Sequence, residues 1–223
     1  MKNINIQTAT VFGLLTAFFL VPLFLYLFPL VWPADPLTNT YVMARETGVF
    51  LIAGILILII IKGEGKGLAS IGLHNKSWLK SFGLSFLILM ISLGIILLCL
   101  SLFGYLGISF GEGAESKSYD NISLWVMTFL VLRAGIVEEL CYRGYIIERL
   151  ENLSHSWIIP VLLPAVIFAL LHYKQGIGGI IISFLTGLVM AVSYWKKRDL
   201  KANMIAHFSI DFIANVLIPL LNN

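Results

Sequence analysis

The sequence predicts an all-α fold: a polytopic integral membrane helix bundle with about seven to eight transmembrane helices. The first observation behind this is composition. The 223 residues are 59% hydrophobic and 12% charged, with a mean hydropathy of +0.93. A soluble domain carries roughly twice that charged fraction. The second is segmentation, with apolar stretches near 9–31, 45–62, 80–106, 122–147, 157–172, 177–195 and 202–220. No polar stretch is long enough to fold separately, so residues 1–223 read as a single membrane domain.

The first stretch follows Lys2 and runs longer than the apolar core of a signal peptide, so it reads as a retained helix. Pro33 and the Pro-Ala-Asp-Pro sequence it begins should end it. The loop 62–80 carries Lys62, Lys66, Lys76 and Lys80 against Glu64. The loop 196–201 carries Lys196, Lys197, Arg198 and Lys201 against Asp199. The positive-inside rule places both in the cytoplasm. The loop 107–121, with Glu112, Glu115 and Asp120 against Lys117, belongs outside. Seven crossings from an internal amino terminus satisfy all three loops and put the carboxyl terminus outside. Residues 64–79 read as an interfacial stretch. Asp120 or Asn121 can cap the fourth span, and Ser154 or Ser156 the fifth. Gly176, Gly178 and Gly179 mark a break before the sixth. Along it, Gly179, Ser183, Gly187 and Ala191 recur every four residues, a small-residue stripe for helix packing.

The net charge of +3 lies largely in the basic loops, which speaks for topology signals and against nucleic-acid binding. Cys99 and Cys141 both lie in apolar segments, so neither a disulfide framework nor a thiolate metal site is expected. Cys141 reads as a packing residue, since no cation is placed to activate its thiol.

Chemistry points to the fourth stretch, where Arg133, Glu138, Glu139 and Arg143 interrupt an otherwise apolar run. Ionisable groups in a membrane are costly and mark pairing or function. Residues four apart share a helix face, so Glu139 and Arg143 can pair within the helix. Glu138 points about 100° away and is left for other work, as a general base or as part of a structural ion-pair network. Apolar surroundings would raise its pKa toward the working range of a base. Arg133 falls roughly on the opposite flank from Glu138, to pair with an acid on another helix or with a substrate carboxylate. Phe168 and His172 are four apart at the end of the fifth stretch, where a lone histidine is also a common interfacial residue. His207 and Asp211 are four apart on the last, a His–Asp pair in which the carboxylate fixes the imidazole tautomer. Zinc on Glu138, His172 and His207 is geometrically possible, but the His-Glu-x-x-His spacing is absent and no cofactor is favoured.

These three patterns, Glu138-Glu139-x-x-x-Arg143, Phe168-x-x-x-His172 and His207-x-x-x-Asp211, resemble in order and spacing the motifs of the CAAX prenyl protease type II family. Its bacterial members are called CPBP or Abi-type proteins. The resemblance covers roughly residues 122–220, which it marks as a CPBP-type catalytic core. It implies an intramembrane endopeptidase of the glutamate-dependent kind, acting on a membrane-associated peptide or protein. Glu138 and His172 would hold and deprotonate water, and His207 and Asp211 would position the scissile carbonyl and stabilise the oxyanion. Glu139 and Arg143 would support them. Two departures stand out. The family often has Asn where this chain has Asp211, and an ionised Asp cannot donate to an oxyanion. Its well-studied members have eight helices against the seven stretches here. Seven straight spans would also set His172 and His207 too far apart in depth for both to reach Glu138.

The composition, rich in Ile, Leu, Lys and Asn, suggests a bacterial multi-pass protein of the cell membrane. The resemblance then implies roles such as bacteriocin immunity or membrane-protein processing. A non-catalytic membrane scaffold or regulatory partner is the alternative; the intact Glu138, His172 and His207 set favours catalysis. A proton-coupled transporter would call for an internal repeat, and none is visible.

Overall fold

A computed structural model describes residues 6–108, 119, 121–154 and 156–222. Glu112, Glu115, Lys117, Asp120 and Lys2 fall outside the described residues, and the expectations placed on them with them. The described residues form helices and connecting turns, with no strand among them. The principal helices are α1 (Ile6–Val31), α2 (Asn39–Gly63), α3 (Trp78–Leu106), α4 (124–154), α5 (Ile158–Leu170), α6 (Gly176–Lys197) and α7 (Leu200–Leu221).

Five of these, α1, α2, α3, α6 and α7, are long and apolar enough to cross a membrane. Among the described residues, length and composition alone thus account for five of the expected seven to eight crossings. The apolar run of α4 is broken by four charges between Arg133 and Arg143. At 13 residues, α5 spans only about 20 Å, short of a bilayer core of about 30 Å.

Polarity runs opposite to that of a soluble protein. Leu51, Leu79, Leu98 and Phe86 are exposed, whereas Glu46, Glu139, Arg143 and Asn203 are buried. A largely apolar surface around a core that also holds charged groups fits a hydrocarbon surround. This is a multi-pass membrane protein.

The central helix is α4, packed by α1, α2, α5, α6 and α7. Its Leu140, Cys141, Tyr142, Tyr145, Ile146 and Ile147 lie in the main apolar core. Within α4, residues Ala134–Ile147 wind as a π-helix, with i→i+5 bonding. That winding brings residues five apart onto one face. The small residues of α6 let its neighbours approach: the Gly187 carbonyl receives an Arg143 N–H at 3.1 Å. A Cβ at Gly187 would press on Arg143 and Phe168, each 3.2 Å away.

Both basic loops meet at one end of the bundle. The Lys76 ammonium donates to the carbonyls of Lys197 and Arg198, and Lys201 Nζ donates to the Lys76 carbonyl at 2.8 Å. The Leu200 N–H donates to the Gly72 carbonyl at 3.2 Å. Between Gly63 and Trp78 only Leu68–Ile71 is helical, as one short 3₁₀ turn. The expected caps differ in part. Ser123 takes the first position before α4 and is tied to Asn39 Oδ1 through both its N–H and its hydroxyl. At α5, Ser156 Oγ accepts the Ile158 N–H at 3.2 Å.

Candidate active site

Side chains from α2, α4, α5 and α7 meet midway along α4. Glu139 is fully buried and saturated. Its Oε1 accepts from Arg143 Nη1 at 2.7 Å and lies 2.8 Å from His207 Nδ1; its Oε2 accepts from Asn203 Nδ2 at 3.2 Å. Arg143 also lies over the Phe168 ring, 4.6 Å from its centroid. This guanidinium, held by a carboxylate, a backbone carbonyl and a ring face, keeps three helices in register.

Glu138 lies at the edge of this cluster, with its side chain 21% exposed. Arg133 Nη1 donates to its Oε1 at 2.9 Å. Arg133 also pairs with the buried Glu46 on α2. Glu46 in turn accepts from Arg45 Nε at 2.7 Å, and Arg45 reaches the Tyr119 hydroxyl at 2.9 Å. Two expectations change here. Glu138 is not wrapped in apolar groups but ion-paired. Arg133 is not on the opposite flank, because the π-winding turns a five-residue separation into a shared face.

Oε2 of Glu138 makes no hydrogen bond among the described residues; its nearest ionic neighbour is His207 Nε2 at 3.9 Å. His207 Nε2 also faces Asp211 Oδ2 at 3.4 Å. The carboxylate that orients the ring is therefore Glu139 on the Nδ1 side, at 2.8 Å, more than Asp211. Both ring nitrogens face carboxylates, an arrangement best met by N–H groups on both. Four acidic side chains (Glu46, Glu138, Glu139, Asp211) thus stand with three arginines (Arg45, Arg133, Arg143) and His207 in one cluster.

His172 lies just beyond α5. Its Nδ1 is 2.8 Å from the Phe168 carbonyl, an acceptor that requires the proton on Nδ1 and leaves the Nε2 lone pair free. Its ring packs on Phe168 with centroids 4.7 Å apart, and Phe168 meets His207 edge-on at 6.0 Å. The structure thus joins Glu138, Glu139, Arg143, His207 and Asp211 directly. His172 joins them through Phe168 and shares no hydrogen bond with Glu138 among the described residues.

Three contributors were not legible as site residues. Glu46 is a lone carboxylate in an apolar stretch, a partner that the deep Arg133 calls for. Asn203 stands one turn before His207 and completes the shell of Glu139. Tyr142 stands four residues after Glu138. Its ring meets Phe168 at 5.4 Å, and its buried hydroxyl has no hydrogen-bond partner among the described residues. Cys141 is buried and free, packed in the core.

Among the described residues no three His, Cys, Asp or Glu side chains are placed to hold one metal ion.

Residues 120–213 match the family model described as Type II CAAX prenyl endopeptidase Rce1-like. This stretch is similar to the Rce1-like family. It covers α4 to α7 and includes every residue of the three motifs. The family suggests a CAAX-protease-type hydrolase acting in the membrane on peptide substrates. No curated protein and no solved structure matches the chain.

Proposed function

We propose that the protein is an intramembrane endopeptidase of the cell membrane that cleaves a membrane-associated peptide or protein with water activated by Glu138. The observation that carries this reading is the asymmetry of the Glu138 carboxylate. Oε1 is fixed by Arg133 while Oε2 faces His207 without a hydrogen bond. A held carboxylate with one free oxygen is an oriented base.

In this mechanism Glu138 Oε2 takes a proton from water as its oxygen attacks the scissile carbonyl. His172 Nε2 accepts the water's other hydrogen and orients it. The developing oxyanion receives the N–H of His207 Nε2, and the same Glu138 then delivers its proton to the departing amine. Asp211 does not donate to the oxyanion; it holds charge opposite His207, whose N–H does the donating. Glu139, Arg143 and Asn203 fix the ring of His207 from behind. Preorganised donors of this kind are worth about 10²–10³ in rate each. No step here requires a metal. Crossings by α4 and α5 in addition to the five long apolar helices would complete a seven-span bundle. Bacteriocin immunity and membrane-protein processing are roles such an activity would serve.

The test compares new protein amino termini in membranes of cells expressing wild type, Glu138→Gln or His172→Ala at matched abundance. Termini that appear with wild type and vanish in both variants support proteolysis. Termini unchanged by Glu138→Gln would overturn the water-activating role. A phenotype retained by both variants would instead indicate a binding partner.

A further inference from the structure

Away from the motif residues, at the end of the bundle where the basic loops meet, a cleft of about 470 Å³ opens between the start of α3 and the α6–α7 turn. Lys76, Ser77, Lys80, Leu84, Lys197 and Asp199 line it. The lone acid is already engaged. Asp199 is buried, with Oδ2 accepting from Ser81 Oγ at 2.8 Å and Oδ1 capping α7 through the Ala202 N–H at 3.2 Å. The neighbouring Arg198 is likewise committed, to Glu148 and Glu151. Lys76 is held by two backbone carbonyls, which leaves one of its three N–H donors over. Lys80 and Lys197 are exposed and form no ion pair among the described residues. Three ammonium groups thus share one cleft with a single carboxylate that is turned to other partners. Like charges gathered without a counter-ion favour an anion between them.

The rim of the cleft tells which anion. In line with Lys80 on α3, Leu84 lines the cleft one turn on, and Leu87 and Ile91, 55% and 44% exposed, continue the same helix face. Trp78 at the start of the same helix lies under the Lys201 ammonium, 4.6 Å from the ring centroid. Trp157, on the same end of the bundle, is exposed and packs on Trp195 at 5.8 Å. Tryptophans concentrate at the headgroup level of a bilayer. The cations therefore stand at the depth of lipid phosphates, next to an apolar track leading into the hydrocarbon.

We propose that this cleft binds the phosphate of an anionic phospholipid, held by Lys76, Lys80 and Lys197 with the Ser77 hydroxyl, while the acyl chains lie along Leu84, Leu87 and Ile91. The site depends on the membrane location of the protein and not on its chemistry as a protease. Lipid binding and peptide cleavage can thus fail independently.

The full-length protein, purified in a non-ionic detergent, is titrated with phosphatidylglycerol, with phosphatidylcholine and with inorganic phosphate. Bound lipid is counted by native mass spectrometry and stability is followed by thermal unfolding. Phosphatidylglycerol should bind and raise the melting temperature, and phosphatidylcholine should do neither. Lys80→Gln with Lys197→Gln should weaken phosphatidylglycerol binding by about 30-fold, since each lysine near a lipid surface contributes about fivefold. Lys62→Gln with Lys66→Gln, outside the cleft, should leave it unchanged. Equal phosphatidylglycerol binding by wild type and the Lys80/Lys197 variant would overturn the site. Phosphatidylcholine binding as tight as phosphatidylglycerol would remove its charge selectivity and overturn it too. Inorganic phosphate stabilising the protein as strongly as the lipid, with no gain from acyl chains, would overturn the lipid assignment in favour of a soluble phosphate.

Discussion

The side of α4 around Glu139 and the side around Glu138 differ in how completely their polar atoms are engaged. Glu139 is fully buried and receives Arg143, His207 and Asn203. A second acid of the same kind stands near the basic end. Glu64 is 3% exposed and takes hydrogen bonds from Thr10 and Tyr145 at 2.9 and 2.8 Å, with Arg149 paired alongside. Glu138, by contrast, keeps one oxygen unbonded beside an imidazole. Saturated carboxylates lock helices, because any exchange of partners would strand a buried charge. A carboxylate with an open oxygen can exchange a proton with something that arrives. Hydrogen bonding thus sets Glu139 and Glu64 apart from Glu138, although Glu138 and Glu139 are adjacent in sequence.

The sharpest way to break this comparison is the pair of variants Glu138→Gln and Glu139→Gln. Glu138→Gln should lower cleavage by about 10²- to 10⁴-fold, the span of general-base catalysis, with thermal unfolding in detergent close to wild type. Glu139→Gln should do the reverse in its first effect and lower the melting temperature. If both variants lost activity at unchanged stability, the division of labour would be wrong.

Next in size is Arg143→Ala. It removes the partner of Glu139 and the prop beneath Phe168, and should destabilise by about 3–5 kcal/mol, as breaking a buried pair does. Unfolding by urea or heat at matched detergent measures this. An unchanged midpoint would mean that the pair holds no register.

A smaller effect concerns pH at Glu64, which lies just past the end of α2. Burial pushes its carboxyl up, but hydrogen bonds from Arg149, Tyr145 and Thr10 outweigh burial and hold it below the usual carboxylate range. A depressed folded value means the stabilisation is fully present above the unfolded value of about 4.3 and is lost as pH falls below it. The gap in melting temperature between wild type and Glu64→Gln should therefore be constant near neutrality and narrow on acidification. A gap that widened in acid would reverse the sign and exclude the pairing as its source.

Much of the site was legible because membrane sequences carry few ionisable groups. Glu139 with Arg143, and His207 with Asp211, stand one α-turn apart and are in contact here, at 2.7 and 3.4 Å. What was illegible depends on the local winding and on other helices. The reach of Arg133 to Glu138 follows from the π-helix over Ala134–Ile147, which a reading at 100° per residue cannot anticipate. The tie from Glu46 to Arg133 joins residues 87 apart in the chain. The all-helical, membrane-embedded fold was plain from hydropathy. The number of crossings was not, since α4 is too charged and α5 too short for length and composition to decide.

Tyr142 sharpens the contrast at its finest scale. Its hydroxyl is buried beside Phe168 and unpartnered among the described residues, on the side of α4 nearer Glu138 than Glu139 in function. An unsatisfied buried hydroxyl costs about 1–3 kcal/mol of desolvation, so Tyr142→Phe should be neutral or stabilising by up to about 1 kcal/mol if the group is merely tolerated. Were the hydroxyl to hydrogen-bond a substrate, the same variant would gain stability and lose cleavage together. Thermal unfolding and amino-terminal profiling of Tyr142→Phe therefore read one hydroxyl in two ways. The expected outcome is a small rise in melting temperature with cleavage unchanged. A fall in both would mean that the hydroxyl has a structural partner and that the Glu138 side is more fully engaged than the comparison holds.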